Sequence, residues 1–229
     1  MEITRKFWLV GAVSVFMVAN FASATVINLD MSTAPTTHGF YTNGTGTEDI
    51  TTNPGQLTIT TPGGTFNYNQ NITDGLGTGD IISFGMTIAI DSFSNPGYFD
   101  RQFVWADAGS GGAGPGFGAQ MAPGMSSGTA TYLKFGDSDG PAVATPGAGD
   151  GLAHTYRIDI VKATGIGTFY FDGTAIHSES VVKANEWNTY ISFGDRFADA
   201  NAPQSARWDD VFFSNEVPGP ATGTVLVVH

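Results

Sequence analysis

Two antiparallel sheets packed face to face, with no helix of consequence, are what this 229-residue chain predicts. Short stretches of period-2 alternation recur from Thr25 to Asn215, bounded by Gly, Pro, Asn and Asp, and no convincing amphipathic helix interrupts them. The densest run lies between Leu152 and Asn215, where Tyr156, Ile158 and Ile160 alternate with Arg157, Asp159 and Val161. Within it, Asp172-Gly173 follows Thr168-Phe169-Tyr170-Phe171 and marks a hairpin, because a type I′ turn needs positive φ at both central residues. Tyr190-Ile191-Ser192-Phe193 begins another strand, and Trp208-Asp209-Asp210-Val211-Phe212-Phe213 reads as the last.

Taken in order, residues 1–24 are read as a secretory signal. Arg5 and Lys6 precede an apolar run from Phe7 to Phe21, and Ala22-Ser23-Ala24 is a small-x-small cleavage site. The run is short for a membrane span of ~20 residues, which favours cleavage over a retained anchor and leaves no stable span in the mature chain. Residues 25–215 then form one sandwich of ordinary size, and residues 216–229 a tail.

Losing Glu2, Arg5 and Lys6 takes the formal charge from −12 to −13. Such a surface repels phosphate backbones and argues against a nucleic-acid partner, while it suits solubility and divalent cations. The chain has no cysteine, so thiol catalysis and disulfide staples are excluded and the fold rests on its apolar core.

Thr25 to Asp30 reads as the first strand, followed by a Thr/Gly/Asn/Pro-rich loop over 31–56 with a short edge strand. Leu57 to Thr60 and Thr65 to Tyr68, flanking Pro62-Gly63-Gly64, read as a hairpin. Ile82, Phe84, Met86, Ile88 and Ile90 share one face of the longest strand. Gln102 to Ala106 follows, and the glycine-rich 109–128 reads as a loop enclosing a short strand at Phe117 to Met121. Tyr132 to Asp137 and Tyr190 to Asp195 echo each other, as two strands ending in the same Gly-Asp turn.

The order Tyr156-Arg157-Ile158, Phe169-Tyr170-Phe171-Asp172-Gly173, Phe193-Gly194-Asp195 and Trp208-Asp209-Asp210-Val211 resembles exported bacterial domains of the concanavalin A-like (laminin G-like) jelly-roll class. The resemblance implies an all-β two-sheet antiparallel jelly-roll sandwich with a concave face, in a class that includes sugar-binding modules, adhesion domains and glycosidases. Val217-Pro218-Gly219-Pro220 resembles a Val-Pro-Glu-Pro-type (PEP-CTERM) sorting tag in degenerate or truncated form, since Gly219 replaces the glutamate and only Val225 to Val228 is apolar. Its two prolines equally suit a stiff tail that closes the domain.

The concanavalin A-like glucanases carry Glu-x-Asp-x-x-Glu on one strand, because glycoside hydrolysis takes two carboxyl groups facing one cleft. Beyond residue 24 this chain has only Glu48, Glu179, Glu186 and Glu216, and none has an acid two residues away on its strand face. The four histidines, His38, His154, His177 and His229, show no zinc spacing, and no Gly-x-Ser-x-Gly elbow occurs. The expectation is a secreted protein of the cell exterior, not an enzyme, that binds an extracellular glycan or exopolysaccharide. A structural or adhesive protein without a sugar site is the alternative, and a degenerate glycoside hydrolase the third. Trp187 with flanking Asn185 and Asn188, Trp105 and Tyr98 are the ligand-binding candidates, with Tyr132 and Tyr190 as further rings; core packing is the competing role for each. Calcium is expected as a structural ion on Asp209 and Asp210, with Asp30 adjacent if the terminal strands pair; capping, or ion pairs with Arg207 or Arg157, is the alternative.

Overall fold

The computed structural model describes residues 25–61, 64–72, 76–92, 102–109, 114–123, 130–135, 138–147, 150–184, 189–198 and 204–217. In chain order the strands are β1 (Val26–Leu29), β2 (Tyr41–Gly44), β3 (Thr47–Asp49), β4 (Leu57–Thr61), β5 (Gly64–Asn71), β6 (Ile81–Ser92), β7 (Gln102–Ala108) and β8 (Gly116–Pro123). They continue with β9 (Ala130–Phe135), β10 (Ser138–Ala144), β11 (Ala153–Val161), β12 (Ile166–Phe171), β13 (Thr174–Ser180), β14 (Val182–Lys183), β15 (Thr189–Ala198) and β16 (Gln204–Val217). No α-helix occurs among the described residues, and none of their helices is long and apolar enough to cross a membrane.

The strands form two antiparallel sheets. The first runs β13-β12-β11-β6-β16-β4-β3, with β1 also on β16; the second runs β10-β9-β8-β7-β15-β5-β2, with β14 on β8. This is the expected jelly-roll sandwich. Its interior follows from the alternation: Ile82, Phe84, Met86, Ile88 and Ile90 of β6 are buried, as are Tyr156, Ile158 and Ile160 of β11. Each of the Ile, Phe and Met side chains among them stabilises the fold by about 1.5–3 kcal/mol relative to exposure. From the second sheet come Tyr68, Val104, Met121, Ile191 and Phe193, and Phe193 joins the sheets through Trp208, its ring 5.2 Å away. The Asp172-Gly173 turn takes the expected form, with φ of 47° and 77° between β12 and β13.

Several local expectations need correction. The segments around Pro62-Gly63-Gly64 do not form a hairpin, because β4 pairs with β3 and β16 while β5 pairs with β2 and β15. The chain crosses there from one sheet to the other. Gly194-Asp195 is not a turn: β15 runs on to Ala198, and Asp195 points inward, fully buried, where it accepts a hydrogen bond from Thr61 Oγ1. Asp209 and Asp210 lie in the middle of β16, not at its start, and Glu48-Asp49 belongs to β3 instead of a loop. The loop over 31–56 holds a 3-10 turn at Pro35–His38 and two edge strands, and β8 is longer than the stretch read from sequence.

Candidate functional site

The outer face of the second sheet is hollowed by a cleft of about 450 Å³, within the range of small-ligand sites. Four adjacent strands build it. On β5, Phe66 and Tyr68 turn inward, so Thr65, Asn67, Asn69 and Asn71 all turn outward. On β15 the same alternation sends Ile191 and Phe193 to the core and Tyr190 and Ser192 to the cleft. β7 adds Phe103 and Trp105, and β2 adds Tyr41 and Asn43.

Register decides which of these meet. Tyr41 pairs with Asn69, Asn69 with Ser192 and Ser192 with Trp105, forming one row across the sheet. Asn43, Asn67, Gly194 and Phe103 form the next row, in which Gly194 adds no side chain. Aromatic rings therefore gather on the β7 and β15 side and amides on the β5 and β2 side, with Tyr41 at the sheet edge. Asn67 Nδ2 donates to Asn69 Oδ1 and to Ser192 Oγ, 3.0 Å each, which leaves Asn69 its own Nδ2 to donate into the cleft.

Trp105 is half-buried, packed against Phe103 and Ala122, and its ring centroid lies 6.3 Å from that of Tyr190. Its indole Nε1–H donates to Asp107 Oδ1 at 3.0 Å, and Lys183 Nζ reaches the same oxygen at 3.4 Å. Beside Trp105 in register stands Gln120, whose Nε2 is buried without a hydrogen-bond partner among the described residues.

Of the ligand-binding candidates, Trp105 lies in the cleft, together with Tyr190. Trp187, Asn185, Asn188 and Tyr98 lie outside the described residues, as do the signal over 1–24 and the end of the tail from residue 218. Sequence reasoning missed the amide ladder Asn67-Asn69-Asn71, although amides at every second position of a strand were its visible signal.

The terminal strands do pair, and Leu29 sits opposite Val211, so Asp30 follows the β1–β16 ladder to the level of Asp210. Asp30 accepts from Ser32 N (3.0 Å) and Oγ (2.6 Å), bonds that hold its carboxyl below the usual range. Asp209 sits where the β16–β6 register shifts, and it accepts from Gln56 Nε2 at 2.5 Å. Burial pushes the Asp210 carboxyl up, against hydrogen bonds from Thr87, and its Oδ1 is buried with no partner among the described residues. Arg207 pairs with Asp91 and Arg157 with Asp159, so neither arginine serves these aspartates. No group of three His, Asp or Glu side chains converges on a point among the described residues.

No protein-family profile and no curated protein sequence matches the chain. Solved structures do. A Crh5 transglycosylase, solved in complex with NAG, superposes with a TM-score of 0.60 at 12% identity over 86% of each chain. The carbohydrate esterase vb_24B_21 of the Shiga toxin-encoding bacteriophage phi24B gives 0.58 at 11% identity, over 86% of this chain and 100% of that one. The CBM2 module of the evolved Dit of Lactobacillus casei BL23 phage J-1 gives 0.52 at 13% identity, over 84% and 96%. At these identities the likeness establishes the β-sandwich fold alone, one that known proteins put to both catalytic and binding use.

Proposed function

We propose that this is a non-catalytic glycan-binding protein of the cell exterior, with its sugar site in the cleft of the second sheet. The observation that carries the reading is the division of that cleft into a ring-lined side and an amide-lined side. A pyranose offers an apolar C–H face and a rim of hydroxyls, so rings such as Trp105 and Tyr190 match the face and Asn43, Asn67, Asn69 and Asn71 match the rim. That three structural neighbours are a transglycosylase, a carbohydrate esterase and a CBM2 module makes glycans the ligand class to test first.

The non-catalytic part rests on the sequence, which lacks the paired acids of the glucanase motif, and on Asp107, whose Oδ1 is taken up by Trp105 and Lys183. The exterior location rests on residues 1–24. A glycan array probed with the chain from Thr25 onward tests the whole reading: wild type binds, and Trp105→Ala loses the signal. Wild type binding no glycan would leave the structural or adhesive reading, and turnover of a polysaccharide would overturn the non-catalytic one.

A structural calcium at the β1–β16 edge belongs to the same proposal. The buried, unpartnered Asp210 Oδ1 supports it, whereas Asp30 and Asp209 already accept hydrogen bonds from the protein and would contribute only by exchanging them. Melting with and without chelator decides: an unchanged midpoint discards the ion.

A further inference from the structure

We infer that Asp107 and Lys183 are positioning residues for Trp105, holding its indole ring in the pose that receives a sugar. The inference rests on the glycan-binding reading of the cleft. Asp107 is 2% exposed and the Lys183 side chain 13%, so this is a largely buried ion pair centred on one oxygen, and that oxygen also takes the indole N–H. Removing two charges from water is costly, and apolar replacements of such pairs are often as stable. Stability therefore gives little reason to keep them. Geometry gives a better one, because an indole has a single N–H, and fixing it to Asp107 fixes the rotation of the ring about its side-chain bonds.

The surroundings are shaped to this contact. Gly118 lies opposite Asp107 in the β7–β8 register, and a Cβ there would stand 2.3 Å from Asp107 Oδ1 and 2.6 Å from Lys183 Cδ. Only glycine leaves room. Lys183 comes from β14, which follows β13 of the first sheet and pairs with β8 of the second. Two backbone bonds pin that stretch: Gly118 N to Val181 O at 3.0 Å, and Val181 N to Gly165 O at 2.9 Å. The cation thus reaches Asp107 on a segment tied to both sheets. A ring held before binding loses less freedom on binding, an advantage of roughly 2- to 12-fold in affinity.

Two measurements on Asp107→Asn and Asp107→Leu test the inference. The asparagine keeps an oxygen for the indole N–H and the leucine does not. In calorimetric titrations with laminarihexaose, cellohexaose and chitohexaose, Asp107→Leu is expected to bind about tenfold more weakly than wild type. Asp107→Asn, alone or with Lys183→Met, is expected to stay within about twofold. The second readout needs no ligand: the Trp105 indole N–H resonance, assigned by its loss in Trp105→Phe, stays exchange-protected in wild type and Asp107→Asn but not in Asp107→Leu. Equal weakening in both Asp107 variants, tracking their melting temperatures, would reduce the pair to a structural role and overturn the inference. So would an unchanged indole signal in Asp107→Leu. If wild type binds none of the hexasaccharides while the indole signal responds as expected, the sugar reading fails for these ligands and the positioning contact stands.

Discussion

The outer faces of the two sheets start from the same alternation and end in opposite states. On the first sheet, charged and aromatic side chains pack on one another: Asp159 accepts from Ser83 Oγ at 2.7 Å and forms an ion pair with Arg157 at 3.2 Å, and the Arg157 guanidinium lies 4.2 Å over the Tyr170 ring. Phe212 covers Gly85, with ring atoms 2.9 Å from where a Cβ would stand, so the gap left by a glycine is filled. On the second sheet the row through Gly194 has Asn67 and Phe103 on either side, and the neighbouring side chains enclose a hollow. Inner faces made a sandwich of both sheets, but among the described residues only the second sheet's outer face sets a row of amides beside the half-buried rings of Trp105 and Tyr190 around a cleft. A strand's solvent side becomes a site when its polar groups are not consumed by their cross-strand neighbours.

The strongest way to erase the contrast is to remove what both faces share. Trp208→Ala, at a fully buried ring touching Phe193, is expected to cost about 3–5 kcal/mol, read by denaturant unfolding. Next comes the cleft itself. Trp105→Ala is expected to lower glycan affinity by at least about 30-fold in calorimetry, as a buried aromatic anchor of ~2 kcal/mol or more would. Phe212→Ala or Tyr170→Ala on the opposite face should leave affinity within about twofold, and an equal loss there would break the comparison. A smaller effect, roughly fivefold, is expected for Asn69→Ala, the loss of about one hydrogen bond of ~1 kcal/mol.

The smallest effect belongs to the first sheet and should not reach the cleft. His154 faces Asp172 Oδ2 through Nδ1 at 2.7 Å and Asp150 Oδ1 through Nε2 at 3.1 Å, donating to both carboxylates when protonated, and it stacks on Phe171. Burial works against its charge, but the two carboxylates outweigh it and raise its pKa above the usual 6.5. A raised folded value means the stabilisation is complete below the unfolded pKa and is lost as pH climbs through the folded one. The melting temperature should therefore be highest below about pH 6.5 and fall as pH climbs past the raised folded value, less so in His154→Gln, with glycan affinity unchanged.

How much could be read in advance differs between core and cleft. Ile82 to Ile90 announced their burial because a strand's side is set by local spacing, and Asp172-Gly173 announced its turn because few residues accept positive φ. Trp105 stayed undecided between core and ligand, since a ring beside Val104 and Ala106 has the same local pattern in either role. Asn67 reads from sequence only as part of a hairpin strand, and Asn69 and Asn71 lie beyond it; their row meets Ser192, 125 residues after Asn67, only because β15 pairs with β5. The Gly-Asp echo misled because Gly194 takes its positive φ of 135° inside β15, close against the Phe66 carbonyl, and not at a reversal.

Chain chemistry alone settled that strands form, which of their sides is greasy and where one tight reversal must occur, since each depends on neighbours two to four residues apart. Sheet membership was settled only by the assembled sandwich. β4 and β5 adjoin in the chain yet part company in space, and pairing partners more than a hundred residues away placed rings next to amides. Register is a long-range property, bought with loop-closure entropy and repaid by buried area, so no short window of residues records it.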